Sequence, residues 1–223
     1  DLLGRPGNTF AADEGYDGTS GKGETRTFAD VTGTPIRSWR SGNQVVRSTF
    51  DALRRPVGAY VDEGSGERLV QLTFYGDRLT DTPATAFAVG RPLQVYDTAG
   101  RLELGYDFRG RTTSQVRRVF TDITTEDDWD GLDAQTSLAG IGAWLGTNGT
   151  LDAENFPVAS AYDALDRVTE QTAPDGSKTV PGYDAGGRLT TVDVYIRGSG
   201  TATAFVTEIS YDARGQRLSI TYG

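Results

Sequence analysis

The sequence predicts an all-β fold, a curved strip of antiparallel β-hairpins with one or two short helical insertions. A short frame recurs along the 223 residues: an aromatic residue, Asp, two variable residues and then Gly-Arg. The 29 Gly residues, with many Thr and Asp, favour short strands and tight turns over helices. Residues 189–196 and 205–211 are rich in the β-branched and aromatic residues that strands prefer. We expect a single domain over residues 1–223, and because the chain begins and ends inside a repeat, a fragment of a longer polypeptide.

The frame predicts where the chain reverses direction. Its aromatic residue suits a half-buried strand position, and its Asp can accept hydrogen bonds from backbone N–H groups two residues further on. Gly, three residues after Asp, supplies the positive φ of a type I turn followed by a bulge, and Arg starts the return strand. Weaker copies begin at Asp1 and Asp30. The fuller copies comprise Phe50 and Asp51; Tyr96, Asp97, Gly100 and Arg101; Tyr106, Asp107, Gly110 and Arg111; Tyr162, Asp163 and Arg167; Tyr183, Asp184, Gly187 and Arg188; and Tyr211, Asp212 and Gly215.

Two copies of the frame lack its Gly. Asp163 is followed by Asp166, and Asp tolerates the left-handed region better than most residues. Asp51 is followed by Arg54, which fits less well, so we expect a different turn there. An interval of 21 residues between frame Asp residues fits one hairpin, whereas the intervals of 46 and 56 leave room for an insertion or a degenerate hairpin. The number of strands therefore stays open.

Two stretches depart from the β pattern. In residues 80–89, Asp81 or Thr82 could cap a short helix that has Pro83 at its first position. Residues 126–157 hold several large apolar side chains, including Trp129 and Trp144, among Gly and acidic residues. We interpret 126–157 as an insertion with a short helix that packs against the sheet.

Composition argues against most chemistry. The net charge of −9 disfavours a nucleic-acid partner, which needs a basic face. The chain has no His and no Cys, which removes Ser-His and Cys-His mechanisms, disulfides and thiolate metal sites. Enzymatic chemistry would then need paired carboxylates in a cleft, but the frame Asp residues are required for turns. We expect no enzyme, no catalytic residue and no cofactor.

Metal and membrane binding are equally disfavoured. The acidic run 126–133 faintly resembles a calcium loop, but its spacing departs from the twelve-residue pattern and no Glu closes it. We therefore interpret it as an exposed turn and predict no metal site. No apolar run approaches the length that spans a bilayer, so we expect no direct membrane insertion. Trp39, Trp129 and Trp144 could form a sugar-stacking or partner-binding surface, but their wide separation favours core filling.

The Tyr-Asp-x-x-Gly-Arg frame resembles the YD, or RHS, repeat. Residues 106–110, 162–167 with 174–177, and 205–217 resemble the RHS region of the B component of bacterial insecticidal toxin complexes, and the likeness extends from about residue 1 to 223. Arg68-Leu69-Val70 and Phe74-Tyr75-Gly76-Asp77 stand in the same order as in that family. The resemblance implies a β-sheet strip that spirals into a hollow, secreted TcB/TcC-like shell. Its implied partners are the rest of the RHS chain, a C-type RHS subunit and an encapsulated, poorly folded toxin.

Three hypotheses about function follow. The first is a structural wall segment of an RHS shell that encapsulates and helps deliver a protein toxin. The second is an adhesion module that binds a glycan or a receptor, as in related YD proteins of cell surfaces; binding lost on changing Trp39 or Trp144 would favour it. The third, an enzyme with paired carboxylates, requires a deep pocket that holds two acids close together.

Overall fold

The protein is described here by a computed structural model, which covers residues 8–10, 24–40, 43–122, 124, 129–148 and 151–223. Within these ranges, fifteen strands follow one another in chain order in one sheet. The prediction of an all-β strip of antiparallel hairpins is therefore confirmed. The strands are β1 (Asn8–Phe10), β2 (Glu24–Ala29), β3 (Pro35–Trp39), β4 (Val45–Phe50), β5 (Pro56–Asp62), β6 (Glu67–Tyr75), β7 (Pro92–Asp97), β8 (Gly100–Tyr106), β9 (Thr112–Val119), β10 (Phe156–Tyr162), β11 (Val168–Thr172), β12 (Lys178–Tyr183), β13 (Leu189–Tyr195), β14 (Thr203–Tyr211) and β15 (Arg217–Tyr222).

The helix expected in residues 80–89 is a single 3-10 turn, Ala84–Ala86. Pro83 occupies the position before this turn rather than its first residue, and no side chain caps it. The turn ends because Phe87 adopts a left-handed conformation with φ of 49°. Capping by Asp81 or Thr82 was therefore a wrong prediction for this segment. Two further 3-10 helices, Gly76–Arg78 and Ile196–Gly198, lie at strand ends.

The insertion predicted at 126–157 contains helix α1 (Leu138–Asn148). Strand β10 begins at Phe156, so the last two residues of the predicted range belong to the sheet. The carboxylate of Asp81 accepts hydrogen bonds from the N–H groups of Leu138 at 2.6 Å and Ala139 at 3.0 Å. Asp81 is thus a helix cap, but it caps a helix that starts 57 residues later in the chain.

The chain divides into two compact units. The first comprises Asp1–Thr82, Val89–Arg101 and Val119–Leu151, and the second comprises Pro83–Ala88, Leu102–Arg118 and Asp152–Gly223. The expectation of one domain over residues 1–223 stays a prediction.

The first unit has an apolar core between the sheet and the insertion. Leu69, Leu72 and Phe74 of β6 are almost fully buried, together with Tyr96 of β7 and Trp129 of the insertion. The Trp129 ring meets the edge of Tyr96 at a centroid distance of 4.9 Å, and its indole N–H donates to the carbonyl of Asp97 at 3.2 Å. Burying aromatic surface with its polar atom satisfied is a major source of stability. This contact attaches the insertion to the sheet.

The three Trp residues have different environments. Trp129 fills the core, as predicted, and Trp144 is half-buried with its ring centroid 6.4 Å from that of Trp129. The same prediction was wrong for Trp39, because 40% of its surface is exposed at the end of β3. Trp39 instead lies beside Arg37, whose guanidinium carbon is 5.5 Å from the ring centroid.

The second unit has little apolar core. In Asp152–Gly223, all of which is described, Ile209 is the one buried hydrophobic residue. Most other strand residues of this stretch are half-buried, and both faces of its hairpins therefore retain contact with solvent. Strand pairing and polar contacts at the turns must supply the order that a core supplies in the first unit.

Candidate functional site

The frame closes one type of turn at five places: Asp51, Asp107, Asp163, Asp184 and Asp212. In each, the N–H of Asp donates to the carbonyl four residues further on, at 2.9 to 3.0 Å. The N–H of the third residue after Asp donates back to the Asp carbonyl, at 2.8 to 3.2 Å. That third residue has φ between 64° and 81°, which makes a three-residue hairpin loop with a left-handed last position. The weaker copy at Asp30 closes the same turn, whereas the copy at Asp1 lies outside the described residues.

The turn at Asp51 does not differ from the others, so the expectation for Arg54 was wrong. Arg54 has φ of 64°, close to the 65° of Asp166, and both turns have the same backbone hydrogen bonds. One non-glycine residue in the left-handed region costs only about 1–2 kcal/mol, which a well-bonded turn can sustain. The backbone, rather than the residue at this position, therefore fixes the turn.

The copy at Asp97 forms a different turn from the other copies. Strand β7 ends at Asp97 and β8 begins at Gly100, which leaves two residues in the loop. The Asp97 carboxylate accepts the N–H of Ala99 at 2.8 Å, and Gly100 has φ of 126°. Because β8 ends at Tyr106, the turns at Asp97 and Asp107 lie at opposite ends of one strand. The same sequence frame thus forms two kinds of turn. Arg101 follows a two-residue loop and therefore does not occupy the same place relative to its turn as Arg111.

Each frame Asp is a hydrogen-bond acceptor for its own turn. In Asp51, Oδ1 accepts the N–H groups of Leu53 and Arg55, both at 2.9 Å, while Oδ2 accepts the Nε–H of Arg55 at 2.7 Å. The Arg four residues after Asp therefore does more than start the return strand. The same Oδ2 to Nε contact, at 2.6 to 2.8 Å, joins Asp107 with Arg111, Asp163 with Arg167, and Asp184 with Arg188. Asp212 keeps the backbone bonds but has Gln216 in place of Arg.

These hydrogen bonds keep Asp163 and Asp184 ionised. The backbone N–H groups of Arg167 and Arg188 are the main reason why the pKa of Asp163 and the pKa of Asp184 lie below the ordinary carboxyl value. The guanidinium groups lower both pKa values further. Each carboxylate is therefore charged at neutral pH, as its contact with Arg requires.

The Arg of one frame also contacts the Tyr that ends a strand of the following hairpin. The carbon of the Arg167 guanidinium lies 4.7 Å from the ring centroid of Tyr183, and the Tyr183 hydroxyl donates to the carbonyl of Val168 at 2.9 Å. We call this arrangement the Asp-Arg-Tyr contact, here formed by Asp163, Arg167 and Tyr183. It recurs in Asp51, Arg55 and Tyr75; in Asp107, Arg111 and Tyr162; and in Asp184, Arg188 and Tyr211.

The Asp-Arg-Tyr contact links successive hairpins through side chains. A cation over an aromatic ring contributes about 0.5–1 kcal/mol at an exposed site, and the hydroxyl bond adds a similar amount. The frame predicts roles for the Asp and the aromatic residue, but it does not predict the contact between Arg and the Tyr of the next hairpin. It also does not predict that Tyr75, which stands in no full frame, takes part in such a contact. The Asp-to-Arg spacing of four residues, which recurs in several copies, is the available signal, because in a three-residue loop it places both groups at the two ends of the loop.

Three frame aromatics lie outside the four Asp-Arg-Tyr contacts given above. Tyr96 is completely buried in the core of the first unit, where its hydroxyl donates to the side-chain oxygen of Gln94 at 2.8 Å. Phe50 has no hydroxyl to donate and lies beside a cleft of about 340 Å³. Tyr106 ends β8 directly before the turn at Asp107, and Gly110 has the left-handed φ of that turn, 81°.

The cleft beside Phe50 has two acidic residues in its lining, which is the arrangement that carboxylate chemistry would need. Asp51 and Asp133 both line it. Asp51 is committed to its turn, and Asp133 accepts the hydroxyl of Tyr60 at 3.2 Å. Both acids are therefore already engaged in structural hydrogen bonds, and the cleft does not present the paired acid and base that a hydrolase of this kind needs.

The described ranges contain neither a cluster of metal-binding side chains nor a membrane-spanning helix. No group of His, Cys, Asp and Glu side chains there could hold a metal ion. Residues 126–128 of the acidic run lie outside these ranges. No helix in the described part of the chain combines the length and the apolar character needed to cross a membrane.

Residues 162–195 match the family model of the RHS repeat. The resemblance to RHS-repeat proteins is confirmed. The matched RHS segment begins at Tyr162 and ends at Tyr195, so it includes the complete Asp-Arg-Tyr contact of Asp163, Arg167 and Tyr183. None of the curated proteins matches the sequence.

Solved toxin-complex structures share the fold along almost the whole RHS-like chain. A crystal structure of TcdB2-TccC3 has a TM-score of 0.80 at 21% identity, and one without the hypervariable C-terminal region has 0.79 at 22%. A Photorhabdus luminescens Tc holotoxin pore, with a mutation in TccC3, has a TM-score of 0.80 at 22% identity. Each match covers 99% of this chain and 10% of the other. This chain thus spans about a tenth of the chains it matches, and at this identity the likeness is one of fold.

Proposed function

We propose that the chain is a wall segment of a hollow RHS-repeat shell that encapsulates a protein toxin and helps to deliver it. The observation that carries the proposal is the match of 99% of the chain to TcdB2-TccC3 at a TM-score of 0.80. The role is mechanical rather than catalytic, because the frame carboxylates are committed to turns and to Arg. The wall depends on the rest of its own RHS chain.

The proposal also has physical support in how the hairpins are joined. A globular domain closes around one apolar core, whereas Asp152–Gly223 buries one hydrophobic residue and is ordered by pairing and by Asp-Arg-Tyr contacts. Such a strip can be lengthened by adding hairpins, since each new hairpin needs only its neighbour. A thin wall requires a strip of this kind, which can be extended without enlarging an apolar core.

The partners follow from the same proposal. The similar crystal structures are of TcdB2-TccC3, and one of them is of TcdB2-TccC3-Cdc42. By analogy we propose a C-type RHS subunit as the partner that completes the shell and a toxic protein as its cargo. The assembly would act outside the producing cell, after secretion.

The test is to image the full-length protein that contains this chain, produced together with its C-type partner, by electron cryomicroscopy. We expect a closed hollow body with residues 24–223 in its wall, and cargo that resists added protease until the shell is opened. The matched control is the same protein without the C-type partner, whose cargo should be digested. A solid particle, or a strip displayed outside the body, would overturn the proposal.

A second candidate function, adhesion to a glycan or receptor, is favoured by the exposed ring of Trp39. Flat exposed aromatic rings bind sugar faces well. A glycan array probed with the chain should then show saturable binding that Trp39→Ala abolishes. Phe108→Ala is the control, since Phe108 is also exposed but lies in the other unit. No saturable binding would remove this candidate.

A further inference from the structure

The side chain at the left-handed position of a turn can contact the turn of the preceding hairpin. In the second unit, the carboxylate of Asp166 pairs with Arg111 at 2.7 Å and with Arg109 at 2.9 Å. In the first unit, the guanidinium of Arg54 pairs with the carboxylate of Asp30. Asp166 and Arg54 are the two residues that stand where other frames have Gly, so the departures from the frame share one geometry.

The sign of the charge follows the preceding turn. The turn before Asp166 carries Arg111 four residues after its Asp, and Asp166 supplies an anion. The turn before Arg54 carries Thr34 at the corresponding place, next to the carboxylate of Asp30, and Arg54 supplies a cation. Each side chain therefore complements the charge that the earlier hairpin presents.

Gly187 shows that the turn backbone itself directs this position toward the preceding turn, whichever residue occupies it. A Cβ atom built on Gly187 would lie 3.4 Å from Nη1 of Arg167, which belongs to the preceding turn. The nearest neighbour in space is thus the same kind of Arg that Asp166 contacts. Gly187 has no side chain, so a carboxylate introduced at position 187 would contact Arg167 directly.

We propose that Arg54 and Asp166 are specificity-determining residues, whose side chains select by charge the hairpin that packs against each turn, and that position 187 has the same geometry without a side chain to use it. This inference goes beyond the wall function and holds whether or not the chain encloses anything. An exposed ion pair is weak, and a left-handed Arg or Asp is strained relative to Gly. Such a pair adds little net stability, but the wrong sign repels, which is how charges give specificity.

The first test compares charge reversal with charge removal at the same position in the full chain. Asp166→Arg should lower the unfolding midpoint Tm by about 3 °C more than Asp166→Asn, because Arg109 and Arg111 would repel it. The Tm of Arg54→Asp should likewise be lower than the Tm of Arg54→Asn, because Asp30 would repel the new carboxylate. Asn is the matched control, since it tolerates the left-handed region best among side-chain-bearing residues. The differences should shrink in 1 M salt.

The second test creates the pair where it is absent. Gly187→Asp should have a Tm about 1–2 °C above that of Gly187→Asn, since only the charged side chain attracts Arg167. The advantage should vanish in an Arg167→Gln background. Equal Tm values for Asp and Asn at 187, together with equal values for Arg and Asn at 166, would overturn the proposal. If Asp166→Arg unfolds while Asp166→Asn folds, repulsion is supported; if neither folds, the comparison at 187 decides.

Discussion

At the scale of the residue, a single carboxylate organises each turn. Asp163 accepts the N–H groups of Leu165 and Arg167 with one oxygen and the Arg167 side chain with the other. Three donors converge on it, and Arg167 is then held in place over Tyr183. The frame letters therefore describe one connected unit of five residues plus the Tyr of the next hairpin. Removing any member should weaken the contact between hairpins and not only the turn.

The ring of Tyr183 offers a direct measure of that contact. Tyr183→Ala should destabilise the protein by about 2 kcal/mol, because the half-buried ring loses its packing and its Arg167 partner. Tyr183→Phe keeps the ring and loses only the bond to the Val168 carbonyl, so it should destabilise the protein by about 1 kcal/mol. Urea unfolding measures both. Equal losses for the two variants would mean that the ring itself contributes nothing.

The pair of Asp77 and Arg55 predicts an acid limit for the first unit. Nη1 and Nη2 of Arg55 donate to the Asp77 carboxylate, at 2.8 and 2.9 Å, and mainly this contact lowers the pKa of Asp77 to about 2. A carboxyl whose pKa is lowered by folding adds stability above its unfolded value, near 3.8, and loses it as the pH falls through the folded value. Asp77 should therefore contribute fully above about pH 5 and nothing below about pH 1.

The measurement is Tm as a function of pH for the parent protein and for Asp77→Asn. The parent should lose more Tm than the variant between pH 5 and 2, so that the two curves converge in acid. Gly90→Ala is unsuitable as a control, because Gly90 also bonds Asp77 and has a positive φ. Glu63→Gln is suitable, because Glu63 lies in the same unit and accepts its hydrogen bond from the Gln44 side chain, outside this pair. Parallel curves for the parent and Asp77→Asn would contradict the prediction.

At the scale of the element, what the sequence predicts depends on how local the deciding contact is. The turn at Asp184 is determined within five residues, and the frame predicts it correctly. The turn at Asp97 has the same letters but a two-residue loop, and Tyr96 before it lies in a core that includes Trp129. The frame does not predict this burial, because Trp129 stands 33 positions after Tyr96 in the sequence. The same holds for the Arg167 to Tyr183 contact, which joins two hairpins.

Helix α1 shows the same limit and provides an element-scale prediction. Its N-terminus is capped by Asp81, so Asp81→Ala should leave the N–H groups of Leu138 and Ala139 without their acceptor. Amide hydrogen exchange of these two residues should become at least several-fold faster, and Tm should fall by about 2 °C.

Thr82→Ala is the matched control for the cap. The Thr82 hydroxyl oxygen is buried and makes no hydrogen bond to the described residues, so its removal should leave exchange in α1 unchanged. If Thr82→Ala accelerated exchange at Leu138 as much as Asp81→Ala did, the cap would have been assigned to the wrong residue.

At the scale of the whole molecule, the two units differ in what stabilises them. The first unit buries Leu69, Leu72, Phe74, Tyr96 and Trp129 almost completely. The second unit relies on strand pairs and on repeated polar contacts, each of which is weak and partly exposed to water. Composition alone did not reveal this division, because the same frame occurs in both units. It depends on where the insertion places its apolar side chains.

This difference predicts a gradient of local stability along the sheet. Amides in β6 and β7 can exchange with solvent only when the apolar core opens, so they should be the slowest in native-state hydrogen exchange. Amides in β10 to β15 need only the separation of neighbouring strands, and we expect them to exchange at least tenfold faster. Trp129→Ala should remove most of the protection of β6 and β7, by opening a large cavity, while leaving β12 and β13 unchanged. Trp39→Ala, at an exposed ring, should change neither group. Uniform protection across all strands would mean that the sheet opens as one cooperative body, and that the core of the first unit stabilises every hairpin equally.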